Sequence, residues 1–124
     1  MTKTYDPNNV FARILRGEIP NKTILETDHT LAFYDIAPQT PVHALVIPKG
    51  AYTDFAEFAA LASAEELVDF HRSTAQVCEM LGLTGPEGFR AITNAGLHGM
   101  QDVPHFHLHI LGGRVLGRLV ERIQ

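Results

Sequence analysis

Three of the seven histidines in this 124-residue chain fall within five residues, at His105, His107 and His109. If the segment is a β-strand, its period of two places these imidazoles on one face and the apolar Phe106 and Leu108 on the other. A lone histidine at such a position is usually a polar residue of a half-buried strand. Three in register have no comparable structural advantage, because neighbouring protonated imidazoles repel each other. The pattern therefore indicates chemistry on this face.

Metal binding is one chemistry that the histidines could support. A His-x-His pair on the strand and a third ligand such as His43 could hold one zinc ion. Since each strand residue rises ~3.3 Å, the outer two, His105 and His109, lie about 13 Å apart. The three rings of the row therefore cannot easily bind one metal ion together, since each bond would have to be ~2.1 Å long.

Covalent catalysis at phosphorus is the other chemistry. Neutral imidazole is a good nucleophile near pH 7, and one ring nitrogen can attack while the other donates to a carbonyl that fixes the tautomer. The central His107 suits this role. Its neighbours could donate hydrogen bonds to the oxygens around phosphorus during phosphoryl or nucleotidyl transfer.

The composition excludes several classes of protein. Fourteen acidic against ten basic residues give a formal charge of −4, which disfavours nucleic-acid binding. The single cysteine, Cys78, excludes an internal disulfide and any zinc site that needs two thiolates. No apolar run approaches the ~20 residues of a membrane span. Residues 1–9 are polar, so the expected compartment is the cytoplasm.

The elements that must position the histidines follow from hydrophobic periodicity and turn residues. One domain is expected over residues 1–124. Its hydrophobic pattern predicts a short helix from about Val10 to Leu15 and a main helix within residues 51–83. Ser63 and Glu66 form a capping box in the second of these segments. Branched and aromatic runs predict five strands. Because the strands are grouped, the expected fold is α+β, with a largely antiparallel five-stranded sheet and two helices. The predicted strands are residues 23–27, 30–35, 42–47, 88–94 and 105–111.

The segment from His105 to Leu111 resembles the signature of the histidine triad family, His-φ-His-φ-His-φ-φ, in which φ is apolar. Flanking segments resemble the Hint branch of that family. Together they cover about residues 8–114 and leave a tail at 115–124. The flanking matches are residues 11–20, 32–36, 38–39, 41–43, 45–49 and 112–114.

The resemblance implies a homodimer whose two sheets join into one of ten strands. It also implies hydrolysis of P–N bonds in purine nucleoside phosphoramidates through a nucleotidyl-histidine intermediate, without a cofactor. His107 is then the nucleophile, His109 a donor to the α-phosphate, and His105 the residue whose backbone carbonyl orients His107, with His43 in hydrogen-bond support. By the same resemblance, Phe11, Ile19 and Leu45 line the base pocket, Asp35 and Ile36 adjoin the ribose, and Asn94, Met100, Gln101 and Asp102 surround the phosphate.

Some positions depart from the Hint pattern. Asp102 stands where many members carry serine, and a carboxylate there either repels the phosphate or acts as an acid if its pKa is raised. Met100 replaces a frequent glycine, and the tail lacks the tryptophan-containing ending of animal members. The cysteine pair of the zinc-binding members is also missing, which argues against a structural metal.

Three alternatives to the phosphoramidase hypothesis stay open at this stage. A dinucleoside polyphosphate hydrolase, as in the Fhit branch, would use the same histidines on P–O bonds. A nucleotide-binding interaction module would keep the pocket with little turnover. A metal-buffering protein would use the histidines as ligands.

Overall fold

The computed structural model describes residues 4–123, so the ends of the expected domain, residues 1–3 and 124, lie outside it. The elements are α1 (Val10–Leu15), β1 (Thr23–Glu26), β2 (Thr30–Tyr34), β3 (Val42–Pro48), α2 (Phe55–Leu61), α3 (Ala64–Met80), β4 (Arg90–Ile92) and β5 (Leu108–Gly112). The strands form one antiparallel sheet in the order β1-β2-β3-β5-β4. This confirms the predicted α+β class and the five strands.

The central strand β3 divides the core into two layers, because its side chains alternate between the faces of the sheet. Ala44 and Val46 belong to a buried cluster with residues of α2 and α3 such as Phe58 and Phe70. Residues of the other face, including Leu45, pack in a second cluster with residues of α1 and β2. The sheet therefore lies between α1 on one side and the two longer helices on the other.

The structure has three helices within residues 4–123, whereas the sequence predicts two. The expected main helix is divided because Ala62 adopts an extended conformation (ψ 151°) between α2 and α3. The Ser63 side chain accepts the backbone N–H of Glu66, and the Glu66 carboxylate accepts that of Ser63. This capping box supplies partners for N–H groups that lack them at a helix start, so a new helix begins at Ala64.

The histidine-bearing strand starts later than predicted, at Leu108 instead of His105. Pro48 has no N–H to donate, and its carbonyl oxygen is 2.8 Å from Nε2 of His105. The carbonyl of His107 accepts the hydroxyl of Thr93 at 2.8 Å. Side chains thus bond with backbone groups at the point where the strand ladder would otherwise continue. The remaining strand boundaries agree with the predictions to within two residues.

Along the described residues, no helix is both long enough and apolar enough to cross a membrane.

Candidate active site

The ring of His107 is held so that one nitrogen is committed to the backbone. Nδ1 lies 2.7 Å from the carbonyl oxygen of His105. A carbonyl can only accept, so Nδ1 carries the proton and, in the neutral ring, Nε2 keeps its lone pair. The side chain is 2% exposed and packs edge-on against Phe11, with ring centroids 4.9 Å apart. His107 is therefore a fixed imidazole with one nitrogen available for attack.

That available nitrogen faces a surface loop. Nε2 of His107 lies 3.5 Å from a carboxylate oxygen of Asp102, whose side chain is 80% exposed. Asp102 belongs to the segment between β4 and β5. Nε2 therefore points towards this exposed loop, and the Asp102 side chain would have to move aside before another group could approach the nitrogen.

His105 lies in the interior. It is 0% exposed, and its Nε2–H donates to the Pro48 carbonyl at 2.8 Å. Its Nδ1 then accepts the hydroxyl of Tyr5 at 2.7 Å. Burial lowers the pKa of His105 to about 4. The ring is neutral at physiological pH and stabilises the site from within the core.

His43 and His109 form a hydrogen-bonded pair between β3 and β5. The backbone N–H of Gln39 donates to Nδ1 of His43 at 3.0 Å. In the neutral ring the proton is therefore on Nε2, which donates to Nδ1 of His109 at 2.9 Å. The neutral His109 must then carry its own proton on Nε2. The pair thus presents an N–H donor at the far end of His109.

Burial is the main reason why the pKa values of both paired histidines are lowered. For His43 the nearby carboxylate of Asp35 opposes this effect. For His109 the proximity of His107 and His43 adds to it. Both rings therefore favour the neutral form, in which the tautomers are defined.

Asp35 follows β2 and adjoins the histidine pair. One of its carboxylate oxygens is 3.3 Å from Nε2 of His43, and the other accepts the backbone N–H of Ala37 at 2.8 Å. The next residue, Ile36, is 100% exposed. The structure therefore brings Asp35 to the histidines and leaves Ile36 entirely at the surface.

Asp35, His43 and His109 have the spacing of a metal site among the described residues, since their ligand atoms lie within 4.8 Å of one another. The protonation pattern does not fit a metal. A ligating histidine usually donates its second N–H to an acceptor, whereas Nδ1 of His43 accepts an N–H from Gln39. A metal on Nε2 would require His43 to lose its only ring proton. Of the two His-x-His pairs on the strand, the one that contains His105 is not free to bind zinc, because both nitrogens of His105 are already engaged.

The three apolar candidates for the base pocket lie in different positions. Phe11 and Leu45 are buried in the α1-side cluster. Phe11 contacts the His107 ring, and Leu45 lies opposite His109 in the sheet register. Ile19 is half-buried in the segment between α1 and β1. The first two therefore border the histidines directly.

The phosphate-loop candidates have different local roles. The Gln101 amide donates to the carbonyls of Thr53 at 2.7 Å and Val103 at 3.0 Å, and accepts the N–H of Gly96 at 3.2 Å. This side chain thus organises the loop. Met100 is exposed and adopts a left-handed conformation (φ 58°), which is uncommon for a residue with a side chain. Asn94 is half-buried just beyond β4.

Sequence reasoning missed three groups that organise the site. They are the Tyr5 hydroxyl, the Gln39 backbone N–H and the Thr93 hydroxyl. Tyr5 is 100 residues from its partner, and no periodicity connects them. Gln39 acts through its backbone, which every residue type other than proline offers. Of the three groups, only Thr93 left a signal in the sequence, because it is a polar residue just after β4.

Comparison with known proteins places these features in a family context. The sequence model of the HIT domain matches residues 16–116. The chain is 52% identical over 122 residues to a protein of Azospirillum brasilense named "Uncharacterized 13.2 kDa HIT-like protein in hisE 3'region", covering 98% of this chain and 99% of that one.

Solved structures agree with this match. A structure described as a HIT family hydrolase from Clostridium thermocellum superposes with a TM-score of 0.82 at 37% identity, covering 92% of this chain and 97% of that one. A histidine triad nucleotide-binding protein from Candida albicans gives a TM-score of 0.75 at 27% identity, covering 94% and 87%. The similarities therefore extend over most of the chain, including the histidine segment.

Proposed function

Since the chain belongs to the HIT domain family, we propose that it is a Hint-type hydrolase that cleaves the P–N bond of purine nucleoside phosphoramidates. The observation that carries this proposal is the His107 ring, with Nδ1–H fixed on the His105 carbonyl at 2.7 Å and Nε2 directed to the surface. An imidazole held in this way is already oriented for attack, and it needs no change of tautomer. Solved relatives described as a hydrolase and as a nucleotide-binding protein support the substrate class.

The proposed reaction has two steps at His107. Nε2 attacks phosphorus, the P–N bond breaks, and the amine takes up a proton from solvent as it leaves. Water then attacks the nucleotidyl-histidine and loses a proton to solvent, which releases the nucleoside monophosphate and returns the lone pair to Nε2. The Nε2–H of His109 donates to a non-bridging oxygen in both steps and stabilises the charge there.

Nucleotide binding follows from the residues around this centre. The base lies against Phe11, Ile19 and Leu45, and the carboxylate of Asp35 accepts hydrogen bonds from the ribose hydroxyls, with Ile36 alongside. Asn94 and the loop that contains Met100, Gln101 and Asp102 enclose the phosphate. The Gln101 side chain contributes by holding that loop in shape, because its amide is engaged within it.

Asp102 must leave its present position when the substrate binds. Reacting atoms approach to ~3–3.5 Å, and the carboxylate is now 3.5 Å from the attacking nitrogen. Its high exposure permits this movement.

The active assembly is a homodimer formed through β4, with the two sheets joined into one of ten strands. The short strand β4 is at the edge of the sheet, where unpaired backbone groups favour pairing with another strand. An apolar groove of about 530 Å³ lies beside it, bordered by Phe55, Phe89 and Leu108. Phe89 is 45% exposed, and a second copy would cover it.

The proposed activity is tested with tryptamine-linked AMP as substrate. Wild-type protein should release AMP, whereas H107N should lose at least a hundredfold in kcat, since it lacks the nucleophile. Denaturation at alkaline pH during turnover should trap AMP on His107, because the P–N bond of a nucleotidyl-histidine hydrolyses in acid and survives in alkali, and peptide mass spectrometry can detect the adduct. Equal rates for the two proteins would remove His107 from the mechanism.

Parallel assays separate this proposal from its alternatives. Faster turnover of diadenosine tri- or tetraphosphate than of the P–N substrate would identify a dinucleoside polyphosphate hydrolase. Micromolar AMP binding without hydrolysis of either substrate would identify a nucleotide-binding module. Stoichiometric zinc in the purified protein, measured by elemental analysis, would contradict the conclusion drawn from the His43 tautomer.

A further inference from the structure

A tyrosine from the N-terminal segment contacts the core side of the histidine triad. The hydroxyl of Tyr5 is 2.7 Å from Nδ1 of His105. The two rings also pack edge-on, with centroids 5.7 Å apart. Tyr5 precedes α1 and is 100 residues from its partner in sequence, so only the fold brings the two together.

The direction of each hydrogen bond follows from the groups involved. Nε2 of His105 must donate to the Pro48 carbonyl, because that oxygen can only accept. In the neutral ring, Nδ1 is then an acceptor, and the Tyr5 hydroxyl is its donor. Both ring nitrogens of this fully buried histidine are thereby satisfied.

The orientation of His105 matters because its own carbonyl accepts Nδ1–H of His107 at 2.7 Å. Loss of the Tyr5 donor leaves a buried acceptor without a partner, which is energetically unfavourable. The ring can respond by changing its tautomer or rotating, and either change breaks the bond to Pro48. The backbone that carries the His105 carbonyl is then less firmly held.

The segment that carries Tyr5 is itself well anchored. The side chain of Asn9 accepts the N–H of Ala12 at the start of α1 and donates to the carbonyl of Asp6. The carboxylate of Asp6 accepts the N–H of Asn8. These bonds connect Tyr5 to α1, whose Phe11 packs against the His107 ring. The N-terminal part of the chain thus contacts two members of the triad.

We propose that Tyr5 is a positioning residue: its hydroxyl fixes the tautomer and orientation of the His105 ring and so keeps the His105 carbonyl against Nδ1 of His107. The assignment rests on the proposed function in that His107 is the nucleophile. The Tyr5 side chain contacts His105 and not the reacting atoms, so it acts through its neighbour.

The experiment compares wild type with Y5F, which removes only the hydroxyl, and with the control Y34F. Tyr34 lies on β2 and its side chain is half-exposed. With the P–N substrate, Y5F should lower kcat by about tenfold to a hundredfold, since small misplacements of reacting groups have effects of this size. KM should change by less than about twofold, because substrate contacts persist. Y34F should match wild type in both.

A spectroscopic readout makes the test independent of turnover. Nitrogen-15 NMR of the imidazoles should show a shifted Nδ1 resonance for His105 in Y5F and a weaker hydrogen bond at Nδ1–H of His107. A lower kcat with unchanged His105 resonances, or shifted resonances with unchanged kcat, would overturn the assignment. Y5L, which keeps an apolar side chain, must reproduce the Y5F result if Y5F does not fold.

The same data distinguish failure of this inference from failure of the proposed function. If wild type does not hydrolyse the P–N substrate, the proposed function fails. In that case only the NMR signals of His105 and His107 test whether Tyr5 positions these two residues. Signals that are unchanged in Y5F would contradict the positioning role.

Discussion

At the residue scale, backbone groups determine where the protons lie on the histidines of this site. The carbonyls of His105 and Pro48 each require an N–H, and the N–H of Gln39 requires a lone pair. Burial lowers the pKa values of His43, His105 and His109 and so favours their neutral forms. A neutral imidazole has one donor and one acceptor nitrogen, so each backbone contact decides the role of the opposite nitrogen.

Replacing His43 tests this chain of donors. In H43A, Nδ1 of His109 loses its donor and can take up the proton itself, so that Nε2 no longer donates to phosphate oxygen. We expect kcat for the P–N substrate to fall by at least about tenfold, because removal of one such donor in an enzyme costs about a hundredfold or more. In H43Q, the side-chain amide can replace Nε2–H, so part of the rate should return. Equal rates in the two variants would argue against a donor role.

Removing the charge of Asp102 tests its position in front of His107, the proposed nucleophile. An ionised carboxylate beside the phosphate site opposes anion binding, and for an exposed side chain this effect is about 1 kcal/mol or less. D102N should therefore bind AMP about two- to fivefold more tightly in calorimetry at low salt. D28N, in the turn between β1 and β2, is the matched control and should bind as wild type does. Weaker AMP binding by D102N would show that the carboxylate assists the nucleotide instead.

At the element scale, the edge strand β4 lies between the candidate site and the edge at which we propose that a second copy pairs. β4 pairs with β5 on one side only, and its register places Ile92 opposite His109. The guanidinium of Arg90 donates to the carbonyls of Gly117 at 2.8 Å and Arg118 at 3.1 Å, which ties the C-terminal segment to the same strand. A partner that pairs with β4 would therefore adjoin both the triad-bearing strand and this segment.

A charge at the apolar groove tests the proposed dimer. The chain mass is 13.7 kDa, and light scattering of wild type should give twice that value. F89E should shift the mass towards the monomer, because burying an unpaired carboxylate in an interface is unfavourable. V10E is the control, since Val10 is also partly exposed but lies on α1, on the opposite face of the sheet. A wild-type mass equal to that of one chain would refute the proposed dimer.

At the scale of the whole molecule, the buried histidine makes stability depend on pH. Burial lowers the pKa of His105 from 6.5 to about 4 in the folded state, while the unfolded chain keeps the ordinary value. Between these values the unfolded state binds more protons, so the free energy of unfolding falls as the pH drops. The contribution is complete above about pH 6.5 and decreases by about 3 kcal/mol towards pH 4.

Urea unfolding at several pH values measures this effect. Wild type should lose stability steadily between about pH 6.5 and 4.5. H105Q should be less stable near pH 7 because it loses packing and hydrogen bonds, but its dependence on pH should be flatter. His43 and His109, whose pKa values are also lowered, leave some slope in the variant. Parallel curves for the two proteins would show that His105 is not responsible.

The elements were predictable where local physics decides them. The spacing of Val10, Phe11 and Ile14 indicates α1, and Ser63 with Glu66 indicates a helix start that the structure contains. The sequence analysis missed the division into α2 and α3, because apolar spacing continues across the break. Only the capping box shows that a new helix begins there. The late start of β5 was missed because it depends on Pro48, which is distant in sequence.

The sequence by itself determined the family and the fold class, because motifs, residue types and short-range periodicity are local properties. Only the tertiary structure decided that His105 turns into the core, that Tyr5 and Pro48 hold it, and that Gln39 sets the tautomer of His43. A histidine can carry its proton on either nitrogen. Which one it uses depends on the groups that surround the ring, and for His105 and His109 folding brings those groups from distant parts of the chain.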